Sequence, residues 1–190
     1  PVAVSYRALS TIEKRETLPS SWYLDLSLIA DYWSSNHRAH HTAPVNMIYG
    51  LRESLKLVFE EGLEIRWQRH NKFSKALKSG LKTMGLKLPI NPKIALDQLT
   101  VIEIPDGIND EQFRSNLLRR YLIEIGKGLG LFQGKIWRVG LMGESCVSAN
   151  VFALLQAFEQ LLSESGFELK NGESLGEAAR VLSETPPLPY

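Results

Sequence analysis

The stretch GKIWRVGLMG, residues 134–143, decides how the second half of the chain folds. Three strand formers, Ile136, Trp137 and Val139, stand between its glycines and predict a strand. Side chains alternate along a strand, so Arg138 falls on the same face as Ile136. An arginine there either extends into water or holds a bound group, and the strand pattern leaves both interpretations open.

The segments around this strand predict a compact α/β unit over residues 62–165. LTVIEIP and IEIGKGLG are typical of strands, the second running into a glycine turn. Residues 109–124 and 148–165 have the apolar spacing of helices. Ser148 is a candidate cap for the later helix.

Between Pro44 and Met84 the apolar spacing is helical almost throughout, which is too long for an ordinary globular helix. Gly62 costs about 1 kcal/mol against Ala in a helix interior, so we expect a bend there and a domain boundary at residues 60–65. The basic residues along the second half of this stretch are interpreted as its solvated face: Arg66, Arg69, Lys72, Lys75, Lys78 and Lys82.

The two ends of the chain carry weaker patterns. PVAV resembles the end of a strand, and residues 5–15 then predict a helix capped by Ser5. At the other end, residues 166–190 predict one short helix and a frayed end, PPLPY.

The composition excludes several classes of function. With 22 Lys and Arg against 21 Asp and Glu the formal net charge is +1, so no general affinity for nucleic acid or an anionic membrane is indicated. No apolar run approaches the roughly 20 residues that span a bilayer. Cys146 is the single cysteine, which excludes an intrachain disulfide and a Cys-based zinc site and favours a reducing compartment. Its neighbours supply no base for a nucleophilic thiol.

A second candidate site lies in HRAHHTAPVNMIYG, residues 37–50. Thr42 stands two residues before Pro44, and proline is common in the first turn of a helix, so Thr42 is a candidate N-cap. The free N–H groups of a helix start suit a phosphate. In the alternative, Thr42 only caps its helix, while His40 and His41 pack or face water. No metal site is expected, because adjacent imidazoles rarely aim at one ion and no acidic partner has the required spacing.

Five stretches, taken in order, resemble one family: SSWYLDL, HHTAPVNMIYGLRESL, EEGLEIRWQRH, IEIGKGLG and GKIWRVGLMG. They resemble the C-terminal half of the alanine–glyoxylate and serine–pyruvate aminotransferases, class V members of the fold type I enzymes that depend on pyridoxal phosphate (PLP). The resemblance covers residues 1 to about 165. It implies an α/β fold in three parts: the end of a large PLP-binding domain with its connecting helix (1–61), a small α/β C-terminal domain (62–165) and a tail (166–190).

The resemblance gives the two candidate residues specific roles. It implies that Arg138 holds the α-carboxylate of the substrate, for which a planar guanidinium offers two parallel N–H groups. It implies that Thr42 reaches across a dimer interface to the phosphate of PLP in the partner subunit. The family usually has a Tyr three positions earlier, where this chain has Ala39, so one phosphate ligand is missing. The Schiff-base lysine is expected upstream of Pro1, so no catalytic residue is expected within the chain.

The resemblance implies a homodimer that moves an amino group from alanine or serine to glyoxylate or pyruvate, and this chain alone is expected to be inactive. The terminus PLPY is no peroxisomal address of the Ser-Lys-Leu type, so a cytoplasmic location is expected. Two alternatives stay open. One is a non-catalytic half-subunit or accessory module of the same fold, including relatives labelled as soluble-hydrogenase small subunits. The other is a different enzyme of this fold, such as a cysteine desulfurase or an epimerase, because one fold hosts many reactions.

Overall fold

The computed structural model describes residues 2–35, 37 and 39–185 of the 190-residue chain. The chain divides into two compact units, Pro1–Lys56 and Leu57–Tyr190. The predicted frayed end PPLPY lies outside the described residues. Within the described ranges, none of the helices combines the length and the hydrophobicity that a bilayer span requires.

Two short helices with polar N-caps begin the first unit. Helix α1 (Tyr6–Glu13) starts after Ser5, whose Oγ accepts a hydrogen bond from the Ala8 N–H at 3.2 Å, so the predicted cap is confirmed. Helix α2 (Leu26–Tyr32) is capped in the same way by Asp25. Residues 2–4 of PVAV, where the sequence predicted the end of a strand, are irregular, and Pro1 lies outside the described residues.

The long helical stretch is two helices separated at Gly62, as predicted. Helix α3 (Val45–Glu61) ends and helix α4 (Leu63–Thr83) begins around this glycine, whose φ of 83° continues neither helix. The Arg66 N–H donates to the Gly62 carbonyl at 3.0 Å and so starts the hydrogen bonding of α4. The bend therefore lies at the residue that the sequence indicated.

The second unit is built on a three-stranded antiparallel sheet in the order β1-β3-β2. Strand β1 (Leu99–Glu103) and the short strand β2 (Gly126–Lys127) both pair with the central strand β3 (Ile136–Gly140). All three strands were predicted. The sheet is small, so helices must cover its apolar face.

Three more helices complete the second unit: α5 (Asp110–Tyr121), α6 (Ser148–Glu164) and α7 (Glu173–Glu184). Helix α7 is the short helix that the sequence predicted for the tail, so that prediction is confirmed. It packs on α4. Glu159 of α6 is buried, and its carboxylate accepts hydrogen bonds from the Gly172 N–H at 2.8 Å and from the N–H and hydroxyl of Ser174. This carboxylate satisfies the free donors at the start of α7.

Trp137 lies at the centre of the contact between the sheet and its helices. Its ring is fully buried, stacks on Phe113 of α5 at 4.3 Å between centroids, and meets Phe158 of α6 edge to face at 5.6 Å. Its indole N–H donates to Asp110 at 3.0 Å, so the polar atom of the ring is satisfied. Val139 is also buried, and the predicted alternation of faces along β3 is confirmed.

Ser148 is not the helix cap that the sequence suggested. Helix α6 starts at Ser148 itself, and the cap position is Val147, whose extended backbone (φ −137°, ψ 156°) sets the boundary one residue earlier. Valine offers no side-chain acceptor there. The Asn150 side-chain amide instead donates to the Ser145 carbonyl at 2.8 Å and ties the first turn to the preceding loop.

Gly128, at the start of the loop between β2 and β3, lies against the main chain of Phe132 in the same loop. A Cβ at this position would stand 1.9 Å from the Phe132 carbonyl oxygen, so the loop backbone would have to move. We expect Gly128→Ala to lower the free energy of unfolding by about 3 kcal/mol, because the contact involves backbone that cannot turn aside. Urea unfolding followed by circular dichroism measures the change.

Gly176→Ala is the matched control for this substitution. Nothing lies within 4 Å of a Cβ at position 176 in α7, and alanine favours a helix over glycine. Its free energy of unfolding should therefore rise by about 0.5–1 kcal/mol. Equal stabilities of Gly128→Ala and the unsubstituted chain would contradict the close approach.

Candidate functional site

Arg138 occupies the middle of β3, on the sheet face opposite Trp137. Its Nε–H donates to the Lys127 carbonyl of β2 at 2.9 Å. Among the described residues, no carboxylate lies within ion-pair distance of its guanidinium. The strand thus presents a cation that no described acid neutralises.

Gly126 provides the space for this guanidinium, because it pairs with Arg138 across the β2–β3 ladder. A Cβ at residue 126 would lie 3.2 Å from Nη2 and 3.4 Å from Nε of Arg138, which is tighter than an ordinary contact. Lys127, whose role the sequence left open, contributes its main-chain carbonyl and keeps its side chain exposed. Two neighbouring residues of β2 therefore provide the room and the anchor for Arg138.

The anchored Nε leaves the two Nη groups as the free donors of Arg138. A guanidinium presents them as a planar fork that matches the two oxygens of a carboxylate. Because Nε is bound to the Lys127 carbonyl, the sheet sets the orientation of this fork before any ligand binds. The arrangement can bind an acid group and orient it.

The loop that follows β3, residues 141–147, is held by Arg69 of α4. Nη1 of Arg69 donates to the carbonyls of Gly143 at 2.9 Å and Cys146 at 2.8 Å. Nε and Nη2 of the same guanidinium donate to the carboxylate of Glu61, the last residue of α3, with Nη2 at 2.9 Å. One side chain therefore bridges the end of α3 and the loop after β3.

His70, the next residue of α4, binds the same loop at Gly143. Its Nε2 accepts the Gly143 N–H at 3.1 Å, and its Nδ1 lies 2.7 Å from the Arg66 carbonyl. Since a carbonyl only accepts hydrogen bonds, these partners assign the donor role to Nδ1 and the acceptor role to Nε2. The ring is 4% exposed, so both bonds are shielded from water.

Glu61 is the acidic centre of this cluster, with a side chain that is 20% exposed. Arg66 donates to it from Nη1 at 2.6 Å, in addition to the bonds from Arg69. The bonds from Arg69, and then those from Arg66, lower the pKa of Glu61 from an ordinary 4.5 to about 2, because both cations favour the ionised carboxylate. We call Glu61, Arg66, Arg69 and His70 the α4 clamp.

The prediction of a solvated basic face is wrong for Arg66 and Arg69. Both are only partly exposed and donate to Glu61. Charge spacing along one helix does not show which carboxylate or loop packs against it, so sequence reasoning missed the α4 clamp. The available signal was an acid directly before the helix-breaking glycine, with arginines on the turns that follow. Further along α4, Lys72 and Lys78 are also only partly exposed and donate to main-chain carbonyls, whereas Lys75 and Lys82 are exposed as predicted.

Cys146 is fully buried, and burial raises the pKa of its thiol. A thiol that resists ionisation is a poor nucleophile. The residue instead contributes its main-chain carbonyl to the contact with Arg69. Its side chain belongs to the core of the second unit.

Thr42 does not cap α3, contrary to the expectation. The helix begins at Val45, and the Ile48 N–H donates to the Pro44 carbonyl at 3.1 Å, which puts Pro44 at the cap position. Thr42 lies two residues before this cap position, so its hydroxyl does not cap the first turn of α3. It is exposed and makes no side-chain hydrogen bond to another described residue. In the first unit, Thr42 thus offers a free hydroxyl near a helix start.

His40 and His41 pack against aromatic side chains of the first unit, which was one of the two alternatives. The His40 ring stacks on Trp22 at 4.2 Å and its Nε2 lies 3.0 Å from the Trp22 carbonyl. His41 contacts Tyr23 at 4.8 Å between centroids. Across the described part of the chain, no three metal-binding side chains gather at one point.

Comparison with known proteins finds aminotransferases. No family model matches the chain. It is 42% identical over 162 residues to the (S)-ureidoglycine–glyoxylate transaminase of Bacillus subtilis, a match that covers 85% of this chain and 39% of that protein. It is 36% identical over 165 residues to the alanine–glyoxylate aminotransferase of Callithrix jacchus, covering 85% of this chain and 40% of that protein. The chain spans about two fifths of the length of these curated relatives.

A solved structure of the same class has the same fold. The crystal structure of the ureidoglycine–glyoxylate aminotransferase from Bacillus subtilis superposes with a TM-score of 0.86 at 40% identity, over 94% of this chain and 46% of that one. The chain therefore has the fold of the PLP-dependent aminotransferases of fold type I. Its homologues within that class are the alanine–glyoxylate and ureidoglycine–glyoxylate aminotransferases, and the resemblance seen in the sequence is confirmed.

The α4 clamp makes stability depend on pH through Glu61. Its folded pKa of about 2 lies below the ordinary 4.5, so the stabilisation is complete above pH 4.5 and is lost as the pH falls through about 2. We expect Glu61→Gln to lower the free energy of unfolding at pH 7 by about 2 kcal/mol. The variant should also lose less stability than the unsubstituted chain between pH 4.5 and 2. Urea unfolding at pH 7, 4.5 and 3 measures both effects.

Glu164→Gln is the control for this pH dependence. Glu164 pairs with Arg120, but its side chain is 43% exposed, where water and salt screen the attraction. We expect Glu164→Gln to lower the free energy of unfolding by less than Glu61→Gln does. About 0.5 M salt should abolish this loss, because salt screens exposed charges. Parallel pH profiles for Glu61→Gln and the unsubstituted chain would contradict the role of Glu61.

Proposed function

We propose that this chain supplies the substrate-carboxylate site of a PLP-dependent aminotransferase. The observation that carries the proposal is Arg138, whose Nε is bound to the Lys127 carbonyl and whose Nη groups face no described acid. A carboxylate bound by this fork would be held in one orientation, and with it the Cα–H bond of the substrate. Lysine in the same position would offer only a point charge.

The relatives depend on PLP, and we infer the same cofactor for the protein that contains this chain. When bound, PLP supplies the electron sink that allows an amino group to be exchanged at the α-carbon. Thr42 is this chain's candidate ligand for its phosphate, because the hydroxyl is exposed and free of hydrogen bonds to described residues. As the resemblance implies, we propose that Thr42 serves the cofactor bound by a second copy of the chain.

The surface of α3 supports a homodimer. No residue of α3 is buried, and all of its residues are described. Large apolar side chains are exposed by half or more: Val45 50%, Ile48 53%, Tyr49 66% and Met47 75%. Several exposed apolar side chains on one helix are typical of an interface. The cytoplasmic location stays a prediction from the sequence.

We infer that the Schiff-base lysine is supplied by sequence that precedes Pro1. Two lysines of this chain make other contacts: Lys78 Nζ donates to the Leu96 carbonyl at 2.7 Å, and Lys170 pairs with Glu173 at 3.3 Å. Neither contact brings a lysine to the fork of Arg138. We therefore expect the chain alone to be inactive.

The proposed substrates share the group that Arg138 would hold. We propose alanine or serine as amino donor and glyoxylate or pyruvate as acceptor. The names of the two relatives share glyoxylate and differ in the donor, which is (S)-ureidoglycine in one and alanine in the other. All of these molecules carry a carboxylate on the reacting carbon, so donor choice depends on residues other than Arg138.

Arg138→Ala tests the substrate site. In the PLP-loaded enzyme that contains this chain, we expect kcat/KM for alanine with glyoxylate or pyruvate to fall by about 100-fold, because two charge-assisted hydrogen bonds are lost. Arg138→Lys should recover little of this loss. In Gly126→Ala the new methyl group crowds Nη2 of Arg138 and should displace the guanidinium by less than about 1 Å. We expect this displacement to raise KM several-fold. Initial rates with a panel of donors that includes serine and (S)-ureidoglycine give these values.

Bound PLP, read from its absorbance, should be unchanged in Arg138→Ala. An unchanged KM in that variant would contradict the proposed role of Arg138. If the unsubstituted enzyme transaminates none of the donors, the accessory-module alternative is favoured.

Thr42→Ala tests the phosphate contact. We expect affinity for PLP to fall by about 10-fold, because one hydrogen bond to a charged group is lost. Thr42→Ser keeps the hydroxyl and should retain the cofactor. The PLP that stays bound after equilibrium dialysis measures the effect without a rate assay. Equal retention by Thr42→Ala and the unsubstituted enzyme would show that this hydroxyl is not a ligand.

A further inference from the structure

We propose that Arg69 is a positioning residue for the substrate carboxylate, because it fixes the loop after β3 and, through that loop, the fork of Arg138. This inference rests on the proposed function and adds a residue that does not touch the substrate. It begins with a contrast between the two guanidiniums. Within the described residues Arg138 has one hydrogen bond, to a main-chain carbonyl, whereas Arg69 donates to both oxygens of Glu61 and to two carbonyls.

The loop after β3 contains turn bonds of its own, from the Ser145 N–H to the Met142 carbonyl and from the Cys146 N–H to the Gly143 carbonyl, and side chains join it to α4. The last main-chain bond that continues the β1–β3 ladder joins the Leu141 N–H to the Gln98 carbonyl at 2.9 Å. The chain then turns at Gly143, whose φ is 60°. Beyond Leu141, the described hydrogen bonds from this loop to α4 are those to Arg69 and His70.

Arg69 can hold this loop because its own position is fixed. Glu61 binds Nε and Nη2, which sets the plane of the guanidinium. Nη1 is then directed to the carbonyls of Gly143 and Cys146. The side chain of Arg69 is 14% exposed, so water competes little for these bonds. Hydrogen bonds from Arg69 thus connect the end of α3 and the loop after β3 to α4.

The loop begins at Leu141, three residues after Arg138, and the proposal is that a displacement of the loop reaches the guanidinium along β3. The guanidinium of Arg138 is tied to β2 through a single hydrogen bond, to the Lys127 carbonyl, in addition to the main-chain pairing of Arg138 with Gly126. If β3 shifts relative to β2, this bond changes and the fork turns. A misplacement of about 1 Å can cost on the order of 100-fold in rate. By holding the loop, Arg69 therefore maintains the orientation of the two Nη groups of Arg138.

The test is a double-mutant cycle in the PLP-loaded enzyme that contains this chain. Arg69→Gln removes the bridge, and Arg138→Ala removes the fork. We expect Arg69→Gln alone to raise KM for alanine by about 10-fold, with bound PLP unchanged. In the Arg138→Ala background the same substitution should raise KM by less than about 2-fold, because the group that it positions is already gone. Arg119→Gln, an exposed arginine of α5, is the matched control and should change neither value.

Each outcome of the cycle decides a separate question. If Arg69→Gln raises KM equally in both backgrounds, or not at all, Arg69 is not a positioning residue for Arg138. If Arg138→Ala itself leaves KM unchanged, the proposed function fails first, whatever Arg69 does. Amide hydrogen exchange at Gly143 gives a second readout, since loss of the bridge should speed exchange there and leave the Trp137 amide protected.

Glu61→Gln keeps the test decisive if Arg69→Gln does not fold. The glutamine oxygen still accepts from Arg69 but lacks the charge, so the guanidinium is held less firmly. We expect a rise in KM of about 3-fold that disappears in the Arg138→Ala background. If Glu61→Gln raises KM by the same factor with and without Arg138→Ala, the proposal is overturned, as it would be by the same result for Arg69→Gln.

Discussion

Trp137 packs against Phe113 and Phe158 at the centre of the second unit, and this contact fixes which face of β3 is buried. A slip of the strand by one residue would expose the indole ring and drive Arg138 into the apolar core. Burying an unpaired guanidinium costs several kcal/mol, which adds to the cost of exposing the ring. The contacts that specify the register of the sheet therefore also specify which face carries the cation. The guanidinium of Arg138 can keep donors free because its neighbour in the sequence fixes the strand.

The two guanidiniums of the second unit illustrate how the same side chain takes different roles. Arg69 has all of its described donors directed to a carboxylate and two carbonyls, so it has little left to offer a ligand. Arg138 has one donor satisfied and the fork free. A saturated arginine stabilises the position of main chain, whereas an unsaturated one on an ordered strand is available to an anion. Hydrogen-bond occupancy, rather than residue type, separates the structural arginine from the candidate binding residue.

The sequence predicted the elements whose causes are local. Alternation along β3, the bend at Gly62 and the cap at Ser5 each depend on a few neighbouring residues, and each was found. The α4 clamp was missed because Glu61, Arg69 and Gly143 meet only in the folded chain. The cap of α3 was misplaced for a smaller reason: proline at the cap position and proline in the first turn give the same spacing. Residue patterns thus locate strands and bends, while shared side-chain contacts between distant segments need the structure.

Strand β2 shows why a departure from a family pattern need not remove a function. Lys127 stands where the resemblance has small residues, yet the contribution of this position to Arg138 is a main-chain carbonyl, which every residue has. The side-chain constraint falls on the neighbours, since a Cβ at Gly126 would crowd the guanidinium and one at Gly128 would meet the loop backbone. Ala39 is a different case, because a tyrosine hydroxyl has no main-chain substitute. Of the two departures, only the one at Ala39 removes a group that the proposed cofactor site would use, which is why the proposal for that site rests on Thr42 alone.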